Sequence, residues 1–182
     1  METALLPRFF EHVTRQVWSD LAIDDAPAAR YVIDLLTRFA RTDALYRVGA
    51  APGRRLETVV EALAAVQQAW DVDSPEFAPE RETAIRRHIG DFTLFMTGIF
   101  RDHMQRMDVV GFYEAEGRRA YRFVFETARA EGDGDAPLYL RLSERFEHYS
   151  GALTYMRKVY FLDRAPWTAP PDDGFFRRLV TR

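Results

Sequence analysis

Hydrophobic residues recur every three or four positions through most of the chain, which is the spacing of an amphipathic α-helix. The pattern predicts an all-α, single-domain bundle of about six helices over residues 1–182. The predicted helices begin near Leu5, Pro27, Leu56, Glu80, Val109 and Pro137. No segment alternates in the manner of a β-strand, and a proline-rich tail is predicted from about residue 163.

Several helix boundaries have their own sequence signals. Asp24-Asp25-Ala26-Pro27 is typical of the cap and start of a helix, and Gly132-Asp133-Gly134 is typical of a helix end. Asp108 is predicted to cap the helix that follows it. The apolar stripe that starts near Pro137 continues to Tyr160, so we expect one long helix there.

The densest apolar run lies between Phe92 and Phe100, where no residue is charged. It falls inside a helix predicted from about 80 to 105, and it is too short for a membrane span, which needs roughly twenty apolar residues. We therefore expect the central helix of the bundle here, with Leu94, Phe95 and Ile99 in the core.

Composition narrows the function classes. Aromatic residues make up 14% of the chain, which predicts a core or a pocket rich in rings. The net charge of −3 argues against a nucleic-acid-binding protein. The chain has no cysteine, which excludes disulfides and thiolate sites and suits the cytoplasm. The N-terminus lacks the pattern of a signal peptide.

Two neighbouring predicted helices carry a pattern shared with other proteins. Its residues are Gly90-Asp91, Leu94-Phe95, Gly98 and Phe100, then Phe112-Tyr113, Gly117 and Ala120-Tyr121. The pattern resembles that of a group of uncharacterised bacterial helical proteins, over about residues 86–161. The group tends to have tyrosine where this chain has Phe112, and it has a longer C-terminal tail. The resemblance implies a helical fold and no particular activity.

One stripe of the central helix carries polar residues among apolar ones. His88, Asp91, Phe95, Gly98 and Asp102 fall within about 80° on a helical wheel. Asp91 could anchor a ligand, with His88 as a titrating partner.

The structural alternative for Asp91 is favoured. A carboxylate beside Phe95 has to be paired, either with Arg87 one turn earlier or by bracing a neighbouring helix.

The next helix places Tyr113, Gly117 and Tyr121 close to one another. Glycine within a helix costs about 1 kcal/mol relative to alanine, which indicates a packing role. Close approach to Gly98 or Thr97 is the favoured explanation. The other is space for a ligand between the two tyrosine rings.

The histidines do not predict a metal site. Di-iron bundles use Glu-x-x-His pairs, and none of His12, His88, His103 and His148 has a glutamate three residues earlier. Glu144 lies four residues before His148, where an exposed pair is expected. We therefore expect neither a metal nor a cofactor.

The favoured function is that of a non-enzymatic binding or interaction protein. The alternative is an enzyme or sensor with an apolar pocket and a His88–Asp91 polar pair. Expected partners are a protein or a small apolar ligand, without nucleic acid or membrane. Homodimerisation is predicted from the wide apolar face of the first helix and from Trp167, Phe175 and Phe176. The tail could equally fold over the first helix of its own chain.

Overall fold

A computed structural model describes residues 5–40, 63–64 and 81–161. Seven α-helices occur there, with no strand, which confirms the all-α bundle. They are α1 (Leu5–Asp20), α2 (Ala26–Phe39), α3 (Glu82–Ile99), α4 (Arg101–Arg106), α5 (Val110–Glu131), α6 (Ala136–Glu144) and α7 (Phe146–Met156), followed by a π-helical turn, Arg157–Phe161. The helix predicted near Leu56 and the proline-rich tail lie outside the described residues, apart from 63–64.

Helix α3 is the central element, as predicted. It packs against α2, α5 and α7. Leu94, Phe95 and Ile99 are each at most 2% exposed. The ring of Phe95 meets Phe39 of α2 edge to face, with centroids 5.2 Å apart. The uncharged run is therefore buried because other helices cover most sides of α3.

Helix α2 begins where its sequence signal predicts. The Asp25 carboxylate accepts a hydrogen bond of 3.0 Å from the backbone N–H of Ala28, and Pro27 lies in the first turn. The predicted apolar stripe is buried; it consists of Tyr31, Val32, Leu35, Leu36 and Phe39.

Two helices are shorter than predicted. The helix expected over 80–105 ends at Ile99, because Phe100 leaves helical geometry (φ −108°, ψ 25°). The helix expected to run to Tyr160 is interrupted in the same way at Arg145 (φ −110°, ψ 26°). The hydrophobic period continues across each interruption because the segments on both sides bury the same face. The pattern alone therefore could not reveal the breaks.

The ends of α5 give one correct prediction and one wrong one. Gly132 adopts the left-handed conformation (φ 73°), and its N–H bonds the last carbonyls of the helix. Asp108, predicted as the N-terminal cap, also has a positive φ, of 55°, and makes no capping hydrogen bond with its side chain. Val109 occupies the cap position instead.

Within the described part of the chain, every helix is too short or too polar to cross a bilayer.

Truncation of Leu94 tests the central position of α3. Leu94 is fully buried, so Leu94→Ala is expected to lower the free energy of unfolding by about 2–5 kcal/mol. Met107→Ala is the matched control, because Met107 is 56% exposed and should change stability by less than about 0.5 kcal/mol. Urea denaturation followed by circular dichroism measures both. A near-neutral Leu94→Ala would contradict the central role of α3.

Candidate functional site

The Asp91 carboxylate lies fully buried in the middle of α3. Its Oδ1 accepts hydrogen bonds from the hydroxyls of Tyr31 on α2, at 2.5 Å, and Tyr121 on α5, at 2.8 Å. Its Oδ2 accepts a charged hydrogen bond of 2.8 Å from Arg38 of α2. The carboxylate therefore joins α2 and α5 to α3, which confirms that Asp91 braces neighbouring helices.

The ion pair predicted between Asp91 and Arg87 does not form. Arg38, 53 residues away in sequence, is the cation that pairs with Asp91. Arg87 instead donates from Nε to the hydroxyl oxygen of Tyr31, at 3.3 Å. The spacing of four residues places Arg87 and Asp91 on one face of the helix, but Arg38 of another helix pairs with the carboxylate.

The tyrosines of this network are protonated donors at neutral pH. Burial, and then the charge of Asp91, raise the pKa of Tyr31 and of Tyr121 well above the usual value of tyrosine. Each hydroxyl therefore keeps its proton and donates a hydrogen bond to the carboxylate.

His88 lies one turn before Asp91 but in different surroundings. Its side chain is buried, and its ring contacts Phe39 and Phe92. Its Nδ1 has no hydrogen-bond partner. Burial lowers the pKa of His88 to about 4, although the charge of Asp91 acts in the opposite direction. His88 is therefore neutral at pH 7, and no hydrogen bond joins it to Asp91.

The space around Gly117 is filled. A side chain there would collide with the ring of Phe146 and the hydroxyl of Thr93, so close helix packing is the reason for the glycine. Tyr121 is fully buried, while Tyr113 is half-buried against Phe92.

The partner predicted for Gly117 was wrong. Gly98 and Thr97 face α7 instead of α5: Gly98 packs against Leu153, and Ser150 donates a 3.0 Å hydrogen bond to Thr97. The contact with α5 is made one turn earlier, at Thr93.

A second buried carboxylate, Asp25, was recognised in the sequence only as a helix cap. Besides the Ala28 N–H, it accepts hydrogen bonds from the Tyr149 hydroxyl at 2.6 Å and from Arg141 at 2.9 Å. Burial raises the pKa of Asp25, but these donors outweigh it and hold the pKa below its usual value. No local signal could predict the donors on α6 and α7.

Arg87 marks a cleft of about 430 Å³ between α3, α5 and α6. The cleft is lined by Thr83, Ala84, Arg87, Val124, Ala128, Glu131, Asp133 and Tyr139. The guanidinium group of Arg87 lies 5.4 Å from the ring centroid of Tyr31 and 5.7 Å from that of Tyr139. Among the described residues, Arg87 forms no ion pair with a carboxylate within 4 Å. The sequence analysis missed this cleft because it assigned Arg87 to Asp91.

The predicted polar residues on α7 make contacts at the surface of the bundle. Glu147 pairs with Arg118 at 3.2 Å, and His148 is exposed with its ring against Tyr149. Phe9 packs on Phe10 and Phe161 of its own chain, and the tail of the predicted dimer interface lies outside the described residues. Dimerisation stays a prediction.

Residues 5–40, 63–64 and 81–161 contain no group of three potential metal ligands.

No protein-family model, curated protein or solved structure matches this chain.

Removal of the Asp91 charge should destabilise the bundle. In Asp91→Asn, a neutral amide replaces the anion that accepts from Arg38. The guanidinium group of Arg38 then loses this counter-charge. Loss of one member of a fully buried pair costs about 3–5 kcal/mol, and we expect a smaller loss here because the side chain of Arg38 is 40% exposed. Asp34→Asn on the exposed face of α2 is the control and should be nearly neutral. Equal stabilities of the two variants in urea denaturation would show that Asp91 does not brace the helices.

His88 should make stability depend on pH. Between pH 6.5 and about 4, the unfolded chain takes up a proton at His88 that the folded chain does not, so the free energy of unfolding falls as the pH falls. The difference between the ordinary pKa of 6.5 and about 4 corresponds to roughly 3 kcal/mol in the free energy of unfolding.

Two variants isolate this effect. His88→Leu should remove the decrease between pH 6.5 and 4, whereas the exposed control His103→Gln should retain it. Below about pH 4, both should still lose stability as Asp25 becomes protonated. A pH series of urea titrations measures the slopes. An unchanged slope in His88→Leu would mean that His88 titrates normally.

Proposed function

We propose that the protein is a non-enzymatic binding protein that holds the carboxylate of an organic or peptide ligand at Arg87. The observation that carries this proposal is an arginine fixed in the wall of a cleft without a carboxylate partner within 4 Å among the described residues. Arginine binds carboxylates through two parallel N–H groups, which suits a guanidinium group that faces an open cleft.

The surroundings of Arg87 support this role because they hold its side chain in place. Nε is engaged with the Tyr31 hydroxyl, which leaves the two terminal nitrogens to face a ligand. Tyr31 is itself held by Asp91. The rings of Tyr31 and Tyr139 flank the guanidinium group. A group that is already positioned loses less conformational entropy when it binds.

The rest of the lining suits a small ligand. Ala84, Val124 and Ala128 provide an apolar wall of short side chains. A volume of about 430 Å³ lies within the range of small-molecule sites. The ligand is therefore expected to combine a carboxylate with a short chain that carries small apolar groups.

Binding is better supported than catalysis. Burial raises the pKa of Tyr139, so its hydroxyl is protonated at neutral pH and is no base. An enzyme or sensor that uses His88 and Asp91 has less support, because Asp91 is fully buried and both of its oxygens have donors.

Titration with N-acetyl-trialanine tests the proposal, since this peptide carries one carboxylate and no cation. We expect a dissociation constant on the order of 1 mM, as for weak small ligands. The measurement is the chemical-shift change in ¹⁵N-labelled protein, with Arg87 Nε–H as the local probe.

Variants of the cleft complete the test. Arg87→Gln should abolish binding, and Ala84→Phe, at an exposed position in the cleft, should block it without changing the charges. Arg122→Gln is the control, because Arg122 is exposed on α5 and pairs with Glu126 outside the cleft. Melting temperatures show whether each variant is folded. Absence of binding to the wild type, or binding that survives in a folded Arg87→Gln, would reject the proposal.

A further inference from the structure

The cleft carries the opposite charge at its other end. Glu131 is the last residue of α5, and Asp133 lies in the turn that follows. Both are exposed, and neither forms an ion pair with any cation in the described ranges. Asp133 is held by a 2.9 Å hydrogen bond that its Oδ1 accepts from the backbone N–H of Asp135. The C-terminal carbonyls of α5 add partial negative charge to this end.

The backbone positions that carry the two charged ends are separated along the helices. Helices α3 and α5 run antiparallel, because Gly90 lies against Tyr121 and Thr93 lies against Gly117. In this register Arg87 lies level with Val124. From there to Glu131 is seven residues of helix, which is about 10 Å along the axis. One cleft therefore presents a cation and two carboxylates that are not paired with one another.

We propose that the cleft binds a zwitterion, whose carboxylate lies at Arg87 and whose ammonium group lies at Glu131 and Asp133. This inference rests on the proposed function and names its ligand class. An extended chain advances about 3.3–3.6 Å per residue, so a peptide of about three residues with free ends is comparable in length to the 10 Å between these backbone levels. The short side chains of Ala84, Val124 and Ala128 line the path between the ends. A free short peptide is thus the class of ligand that satisfies both charged ends at once.

A matched set of three peptides tests the inference by calorimetry or chemical-shift titration. Trialanine carries both charges, N-acetyl-trialanine carries only the carboxylate, and trialanine amide carries only the ammonium group. We expect trialanine to bind the wild type about tenfold more tightly than N-acetyl-trialanine, as one further charge-assisted contact provides. Trialanine amide should bind more weakly than trialanine, because it cannot pair with Arg87.

The double variant Glu131→Gln/Asp133→Asn should remove the advantage of trialanine and leave the affinity for N-acetyl-trialanine equal or higher. Glu126→Gln on the same helix is the control and should leave both affinities unchanged.

Equal binding of the two peptides by the wild type would overturn the zwitterion proposal. So would an advantage that survives in the double variant. In either case, binding of N-acetyl-trialanine that is lost in Arg87→Gln would leave the proposed function standing. Failure of N-acetyl-trialanine to bind at all would reject the proposed function itself.

Discussion

The buried carboxylate of Asp91 imposes a constraint that three helices have to meet together. A charge in the buried central helix is costly unless donors surround it, and α3 itself supplies none of those observed. Tyr31 and Arg38 come from α2, and Tyr121 comes from α5. Gly90 belongs to the same arrangement, because a side chain there would collide with the ring of Tyr121. The absence of a side chain at Gly90 leaves room for the ring, and the carboxylate of Asp91 beside it accepts a hydrogen bond from the Tyr121 hydroxyl.

Helix α2 is attached at both ends by the same chemistry. Its first turn is held by Asp25, which accepts from Arg141 of α6 and Tyr149 of α7. Its middle and its last turn are held by Tyr31 and Arg38 at Asp91. Each network combines one buried carboxylate with at least one tyrosine hydroxyl and one arginine that bonds the carboxylate directly. Directional bonds of this kind fix the rotation of α2 about its axis, which apolar packing alone specifies less sharply.

The hydrophobic period along the chain predicted features that depend on residues close together in sequence. It did not predict bonds between residues that are far apart in sequence. The burial of Leu94 and Phe95 followed from an uncharged run with a helical period. The partner of Asp91 did not, because Arg38 is 53 residues away while Arg87 stood at the expected spacing. The capping role of Asp25 was readable from Pro27 beside it, but its bonds to α6 and α7 were not.

The positive charge in the cleft depends on which arginine pairs with Asp91. Two arginines, Arg38 and Arg87, lie near this one carboxylate, and its charge acts to raise the pKa of both. Arg38 takes the direct contact, so the positive charge of Arg87 is not neutralised by an ion pair there. Tyr31 lies between them, donating to Asp91 and accepting from Arg87. The bonds that hold α2 to α3 thereby also fix the position of the cation in the cleft, so the stability of the bundle and the proposed binding at Arg87 depend on the same tyrosine.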